Sequence, residues 1–207
     1  MIAELQNGNP NLSLNNFKRI SQIPHIIIEK LMLDESQDAQ NFWKALVYTE
    51  VECLTRDNLT LSEKLDLFWQ GQPHQEQFKI FNKPLISNSL TDSSSMTHLR
   101  IYRVDSQPTT KNESVLVYEF DIVTNESDNS LRDEDGYFVE KTDYIESKLL
   151  TLLNGIDLGV GSGYLIFDKG LSRSCGSMLS INNSLNFYGR RMFLGLRLHG
   201  TSNGGIC

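Results

Sequence analysis

Two periodicities divide the chain. In the first third, apolar positions recur at three-to-four spacing. Pro24 suits the first turn of a helix, and His25-Ile26-Ile27-Ile28-Glu29-Lys30-Leu31-Met32 continues it. Over 38–48, Phe42, Trp43, Leu46 and Val47 share one helical face. A third helix is predicted from Thr60, where Thr60 and Glu63 have capping-box spacing, through Leu65, Leu67, Phe68 and Trp69 to Gly71. Residues 72–97 are irregular, and Ser87 to Ser95 reads as a polar loop. From Met96 the period falls to two. Leu99, Ile101 and Arg103 alternate with Arg100, Tyr102 and Val104. Leu116, Tyr118, Phe120 and Ile122 alternate with Val115, Val117, Glu119 and Asp121. Two such strands, joined by a polar stretch over 105–113 that contains Pro108, predict a long hairpin. An acidic loop follows over 125–137. A helix is predicted over 141–153, with Tyr144, Ile145, Leu149, Leu152 and Leu153 on its apolar side and Asn154-Gly155 as its stop. Strand-like segments close the chain at 164–167, 178–181 and 187–198. In the last, Met192, Leu194, Leu196 and Leu198 alternate with Arg191, Phe193, Gly195 and Arg197.

Helices first, then hairpin, helix and further strands predict an α+β fold. Its antiparallel sheet carries the long hairpin and is packed by helices, and its N-terminal third is helical. Residues 1–16, rich in Asn with Gly8 and Pro10, read as an extended arm. Residues 17–200 read as one domain, helical over 17–71 and sheet-rich over 96–200, and 201–207 as a flexible tail holding Gly204-Gly205. The 207 residues suffice for one such core. The 39% hydrophobic content excludes low-complexity disorder. No apolar run reaches the roughly 18 residues of a membrane-spanning helix. The first residues carry neither the basic nor the apolar region of a secretory signal. Cys53, Cys175 and Cys207 are odd in number and widely spaced, which reads as free thiols in a reducing cytosol.

The net charge of −7 argues against a dedicated nucleic-acid binder. Its placement is informative. Residues 121–146 hold nine acids against Arg132 and Lys141, a net −7, whereas 148–207 hold six bases against Asp157 and Asp168, a net +4. One reading is a solvated loop followed by a strand with ordinary surface arginines. The other is a polarised subunit whose basic side (Arg190, Arg191, Arg197) meets the acidic side of a neighbour (Asp133, Glu134, Asp135).

Asp157-Leu158-Gly159-Val160-Gly161-Ser162-Gly163 matches DxGxGxG, the first motif of S-adenosylmethionine-dependent methyltransferases, in which glycines let backbone approach a cofactor at a strand-to-helix turn. The context argues otherwise. A helix precedes the Asp, a strand-like run follows Gly163, and too little chain remains for a doubly wound sheet. None of the five prolines adjoins another, so the catalytic (D/N)PP(Y/F) string of a permuted enzyme is missing as well. Asp133-Glu134-Asp135-Gly136 hints at a calcium loop. Aligned on Gly136, however, Leu131 and Thr142 occupy its first and twelfth ligand positions. His25, His74, His98 and His199 lack metal-ligand spacing. Val160 breaks a nucleophile elbow. No catalytic, cofactor-binding or metal-ligating residue emerges, and the chain is not expected to be an enzyme or to need a cofactor. A small methyltransferase using 157–163 is the alternative, and an adaptor of unrelated role is a third reading.

The second half carries a resemblance. Hairpin Leu99-Arg100-Ile101-Tyr102-Arg103-Val104 and Val115-Leu116-Val117-Tyr118-Glu119-Phe120-Asp121-Ile122-Val123 leads into the acidic loop. A helix then ends in Leu152-Leu153-Asn154-Gly155, before the glycine turn Leu158-Gly159-Val160-Gly161 and the closing strand Phe187-Tyr188-Gly189-Arg190-Arg191-Met192-Phe193-Leu194. This order, over roughly 96–198, resembles the ring-forming neck (head–tail connector) and tail-terminator proteins of tailed bacteriophages, those of crAss-like phages among them. The resemblance implies a structural virion protein made in the host cytoplasm. It would form a closed ring of its own copies that joins portal or adaptor to tail and touches adjacent ring proteins. DNA would pass through the channel without specific binding, and no membrane would be involved. Exposed strand edges would pair with neighbours, while the hairpin loop and N-terminal arm would grip adjacent rings.

Overall fold

A computed structural model describes residues 20–71, 78–84, 97–110, 113–159, 164–167, 177–178 and 187–199. The expected arm at 1–16, the tail at 201–207 and the loop at 87–95 lie outside them.

Three helices open the described chain. Helix α1 (Ile23–Leu33) starts with Pro24 in its first turn and buries Ile23, Ile27, Ile28, Leu31 and Met32. Helix α2 (Gln37–Val47) is capped by Ser36, whose hydroxyl accepts the Ala39 N–H at 3.2 Å, and buries Phe42, Trp43 and Leu46. Helix α3 (Leu61–Asp66) has the full Thr60/Glu63 capping box. Buried ammonium groups satisfy carbonyls that helix ends leave unpaired. Lys64 Nζ donates to Met32 O (3.2 Å) and Asp34 O (3.4 Å) after α1, and Lys141 Nζ donates to Tyr48 O (2.9 Å) after α2. Trp43 Nε1 donates to Leu31 O at 3.1 Å, tying α2 to α1. Helix α3 stops short of the expected Gly71. The backbone at 67–69 bonds instead to a strand: Lys79 and Ile80 donate to Leu67 O, and Trp69 donates to Ile80 O.

That strand is β1 (Ile80–Phe81), within a stretch expected to be irregular. It lies parallel to β2 (Thr97–Thr110), the one parallel pair in an otherwise antiparallel sheet among the described strands. β2 pairs with β3 (Glu113–Asn125), and β3 pairs along its whole length with β9 (Phe187–His199). Beyond the strand pair β4 (Leu131–Arg132) and β5 (Phe138–Val139) comes helix α4 (Lys141–Leu153). Then β6 (Ile156–Asp157), β7 (Tyr164–Ile166) and β8 (Ser177–Met178) complete the main sheet. Its order is β1-β2-β3-β9-β7-β6, with β8 also on β9. The fold is α+β.

Period-two alternation sets the core. Leu99 and Ile101 of β2, Leu116, Tyr118, Phe120 and Ile122 of β3, and Met192, Leu194, Leu196 and Leu198 of β9 share one face. They join one buried cluster with Ile27, Phe42, Trp43, Leu46, Ile145 and Leu149 of the helices. Each such side chain contributes roughly 1.5–3 kcal/mol by leaving water.

Two expectations are corrected here. The polar stretch 105–113 is mostly strand: Asp105, Ser106 and Gln107 pair with Val117, Leu116 and Val115. Polar residues suit β2 there because Arg103–Gln107 are exposed, while β3 beneath is buried on both faces. The acidic segment also has structure, in β4, β5 and a 3-10 turn at Glu126–Asp128. Arg132 N–H donates to Val51 O, and Gly136, at φ +87°, makes the turn between β4 and β5. No described helix is long and apolar enough to cross a membrane.

Candidate functional site

The sheet face turned away from the helices carries the densest polar cluster. Register aligns Arg100 of β2, Asp121 of β3 and Arg191 of β9 in one row, and Tyr102, Glu119 and Phe193 in the next. The Tyr102 hydroxyl lies 2.7 Å from Glu119 Oε1 and 2.7 Å from Asp121 Oδ2, and donates into the pair. Arg191 Nε lies 2.5 Å from Glu119 Oε1 and 3.0 Å from Asp121 Oδ1. Burial raises the pKa of Glu119, as does the neighbouring Asp121. Burial and the two carboxylates push the Tyr102 phenol up, so it stays a donor across the physiological range. Burial opposes the Arg191 charge, but Asp121 and Glu119 outweigh it and raise its pKa.

Arg100 extends the cluster toward β1. Its guanidinium lies 4.5 Å from the Phe81 ring centroid, and Nη1 donates to Pro84 O at 3.3 Å. Burial lowers its pKa to about 10, leaving it charged at neutral pH. Beside it His98 is fully buried, with its ring edge-on to Phe81 and no hydrogen-bond partner for either nitrogen. Two guanidiniums thus face two carboxylates across three strands. Such a cluster, compensated in charge and hydrogen-bonded, fixes strand register. It leaves neither carboxylate open as a general base, because Glu119 and Asp121 are almost wholly buried and both are engaged.

The six residues singled out by charge all have defined places. Arg190 forms an ion pair with Asp143 (2.6 Å) and a longer one with Glu140 (3.5 Å). Arg191 belongs to the cluster above, and Arg197 pairs with Glu113 at 3.2 Å. Asp133 Oδ1 accepts the Asp135 and Tyr137 N–H groups at 3.0 and 2.8 Å, while Asp135 is exposed at the turn. Glu134 is an anchor between helices. Its Oε1 takes Lys148 Nζ (2.6 Å), the Tyr144 hydroxyl (2.7 Å) and Asn41 Nδ2 (2.8 Å). Burial would raise Glu134, but these donors outweigh it and hold the carboxyl at about 2. The acidic and basic segments therefore neutralise each other within one chain at Arg190, and the acidic segment draws Lys148 as well.

No protein-family model and no curated protein matches this chain.

Asp157 and Gly159 of the DxGxGxG string sit at the end of β6, which is antiparallel to β7. Asp157 Oδ1 accepts the Gly159 N–H at 2.8 Å, as in an ordinary Asx turn. The rest of the string, 160–163, lies outside the described residues. Cys53 is buried, and burial raises its thiol pKa. Cys175, Cys207 and His74 lie outside the described residues. His25 Nε2 is 2.8 Å from Asn82 Nδ2. Among the described residues no three His, Cys, Asp or Glu side chains converge as metal ligands.

Sequence reasoning missed Tyr102, Glu119 and Asp121 as a unit. Their alternation marked one face, but only the β2–β3–β9 register brings Arg191 beside them. It also missed two exposed apolar groups: Tyr137 with Phe138, and Tyr164 with Ile166 and Phe167.

Proposed function

We propose that this chain is a structural virion protein, a ring subunit of the neck or tail of a tailed bacteriophage. It joins portal or adaptor to tail and lines the channel through which DNA passes. One observation carries the reading. The described elements on which the family resemblance rests — hairpin, acidic segment, helix ending at Leu152-Leu153-Asn154-Gly155 and closing strand — belong to a single sheet-and-helix unit, with β9 inserted beside β3. A rigid three-stranded centre suits a part that must hold its shape under load from its neighbours. The acidic segment, repeated around an axis, would repel phosphates and let the genome slide.

The β2 edge refines how copies meet. From Ile101 onward β2 has no ladder partner on its outer side among the described strands. Register shifts between Arg103 and Asp105 and between Pro108 and Thr110, together with Pro108 itself, blunt that edge. Side chains, not free backbone, are then left to choose the partner.

Light scattering of the purified full chain, with mass spectrometry of assembled particles, tests the reading. The expected result is a closed multimer, or the chain among the virion proteins. A monomer absent from particles would overturn it. The methyltransferase alternative requires a strand-to-helix turn at 157–163, whereas β6 and β7 flank that segment as antiparallel strands. Micromolar binding of S-adenosylmethionine in calorimetry, lost in Gly161→Val, would restore it.

A further inference from the structure

Tyr102 has one hydroxyl hydrogen, yet its oxygen lies 2.7 Å from Glu119 Oε1 and 2.7 Å from Asp121 Oδ2. Both separations are those of an O–H···O hydrogen bond. An ionised carboxylate only accepts, whereas a hydroxyl donates one hydrogen and accepts in turn. With both acids ionised, one of the two contacts would set lone pair against lone pair. With one proton on the acids, both contacts are hydrogen bonds: the neutral carboxyl donates to the Tyr102 oxygen, and Tyr102 donates to the carboxylate. Arg191 does not fill the shortage. Its single Nε hydrogen is already divided between Glu119 Oε1 (2.5 Å) and Asp121 Oδ1 (3.0 Å). Asp121 is also within hydrogen-bond reach of Glu119, a contact that a shared proton satisfies and two negative charges do not.

We propose that Glu119 and Asp121 hold one proton between them at neutral pH, and that this proton latches β2 to β3 through Tyr102. Burial favours it. The two side chains are 8% and 1% exposed, and a second negative charge there would have to leave water. Burial first, and then Asp121, push the Glu119 carboxyl above its ordinary range. The proton belongs to the pair, since two acids this close titrate together. Two guanidiniums pull the other way. Arg191 of β9 is 35% exposed, so water screens it, and Arg100 of β2 is directed onto the Phe81 ring and Pro84 O. They answer one negative charge in the pair, not two. Further along the same face of β2, burial keeps His98 neutral. Phe81 of β1, Phe193 of β9, and Ser177 and Met178 of β8 do not titrate.

The latch sits at a weak point of β2. Just beyond Tyr102 the register with β3 shifts between Arg103 and Asp105, and the outer edge of β2 has no ladder partner there among the described strands. Loss of the proton leaves Tyr102 bonded to one acid only, so alkaline conditions loosen the far half of the hairpin and mild acid tightens it. The latch is internal to one chain and holds whether or not the chain forms a ring.

Infrared spectroscopy of the full chain at pH 7 reads the proton directly, through the C=O stretch of a neutral carboxylic acid, which a carboxylate lacks. Wild type should show this band, and Glu119→Gln and Asp121→Asn should each remove it. A wild-type spectrum without the band would overturn the proposal, whether or not a variant folds. A band kept at full strength in one variant would overturn it too, because a single buried acid would then hold the proton unaided. Kept in both, the band would belong to Glu29 of α1, the other described acid whose pKa burial raises. Urea unfolding reads the consequence. The unfolded chain gives up this proton above the ordinary value of 4.5, while the folded chain keeps it. Stability from the pair is therefore full below pH 4.5 and is lost as pH rises toward the folded value. From pH 7 to pH 5 the folding equilibrium constant of wild type should rise by up to about 100-fold relative to that of Glu119→Gln, with the effect of His98 cancelling between them. Equal pH dependence in the two proteins would refute the latch.

Discussion

His98 should make the fold sensitive to mild acid. Its ring is fully buried, and neither nitrogen has a protein hydrogen-bond partner. Burial first, then the nearby Arg100 and Lys79 charges, hold its pKa well below the ordinary imidazole value of 6.5. The unfolded chain takes up a proton near pH 6.5, while the folded chain does not. Stability from this site is therefore present above pH 6.5 and is lost as pH falls below it. The slope approaches 1.4 kcal/mol per pH unit, which gives about 2 kcal/mol between pH 7 and pH 5. His98→Leu removes the titrating group, and with it two unpaired buried nitrogens, so its stability at pH 7 should stay within about 1 kcal/mol of wild type. Urea unfolding of both proteins at pH 7 and pH 5 measures the difference of differences, from which carboxylate effects common to both cancel. The wild type should lose about 2 kcal/mol more than the variant on acidification. Equal losses would mean that His98 takes up its proton in the folded state, and the buried-face packing described here would be wrong.

Other sites give further expectations. Lys148→Met removes the ammonium shared by Asp38 and Glu134 and should destabilise by about 1 kcal/mol in urea unfolding, a modest value because both acids are partly exposed to solvent. The depressed Glu134 pKa adds stability above its ordinary value of 4.5 that is lost as pH falls toward 2. The variant's acid-unfolding profile should therefore be flatter there. Tyr102→Phe takes the hydroxyl from the Glu119–Asp121 pair and should destabilise by about 1.5–3 kcal/mol. A change within 0.5 kcal/mol would show that the cluster does not hold the strands in register. Gly136→Ala, at φ +87°, should destabilise by about 1 kcal/mol. A neutral result would contradict the turn between β4 and β5.

The legible parts of the fold were those with local signals. Pro24, the Thr60/Glu63 box and the alternation of Leu116, Tyr118, Phe120 and Ile122 each fix local geometry through neighbours in sequence, and the elements lie where they point. β1 was not legible, because two residues carry no period and Ile80-Phe81 becomes a strand only through Leu99 and Arg100. The end of α3 was missed for the same reason, since hydrogen bonds from Lys79 and Ile80 capture the Leu67 carbonyl. Asp105-Ser106-Gln107 read as loop because they are polar and exposed, and only their register with buried Val117, Leu116 and Val115 of β3 makes them strand. Charge placement found Glu134 and Arg190, but not that Lys148 and Asp143 answer them within the same chain.

Imaging the purified full chain by cryo-electron microscopy tests the central claim most directly. Class averages with rotational symmetry around an open channel are the expected result. Single, unassociated subunits at every concentration, in a protein that is also missing from intact particles, would contradict it.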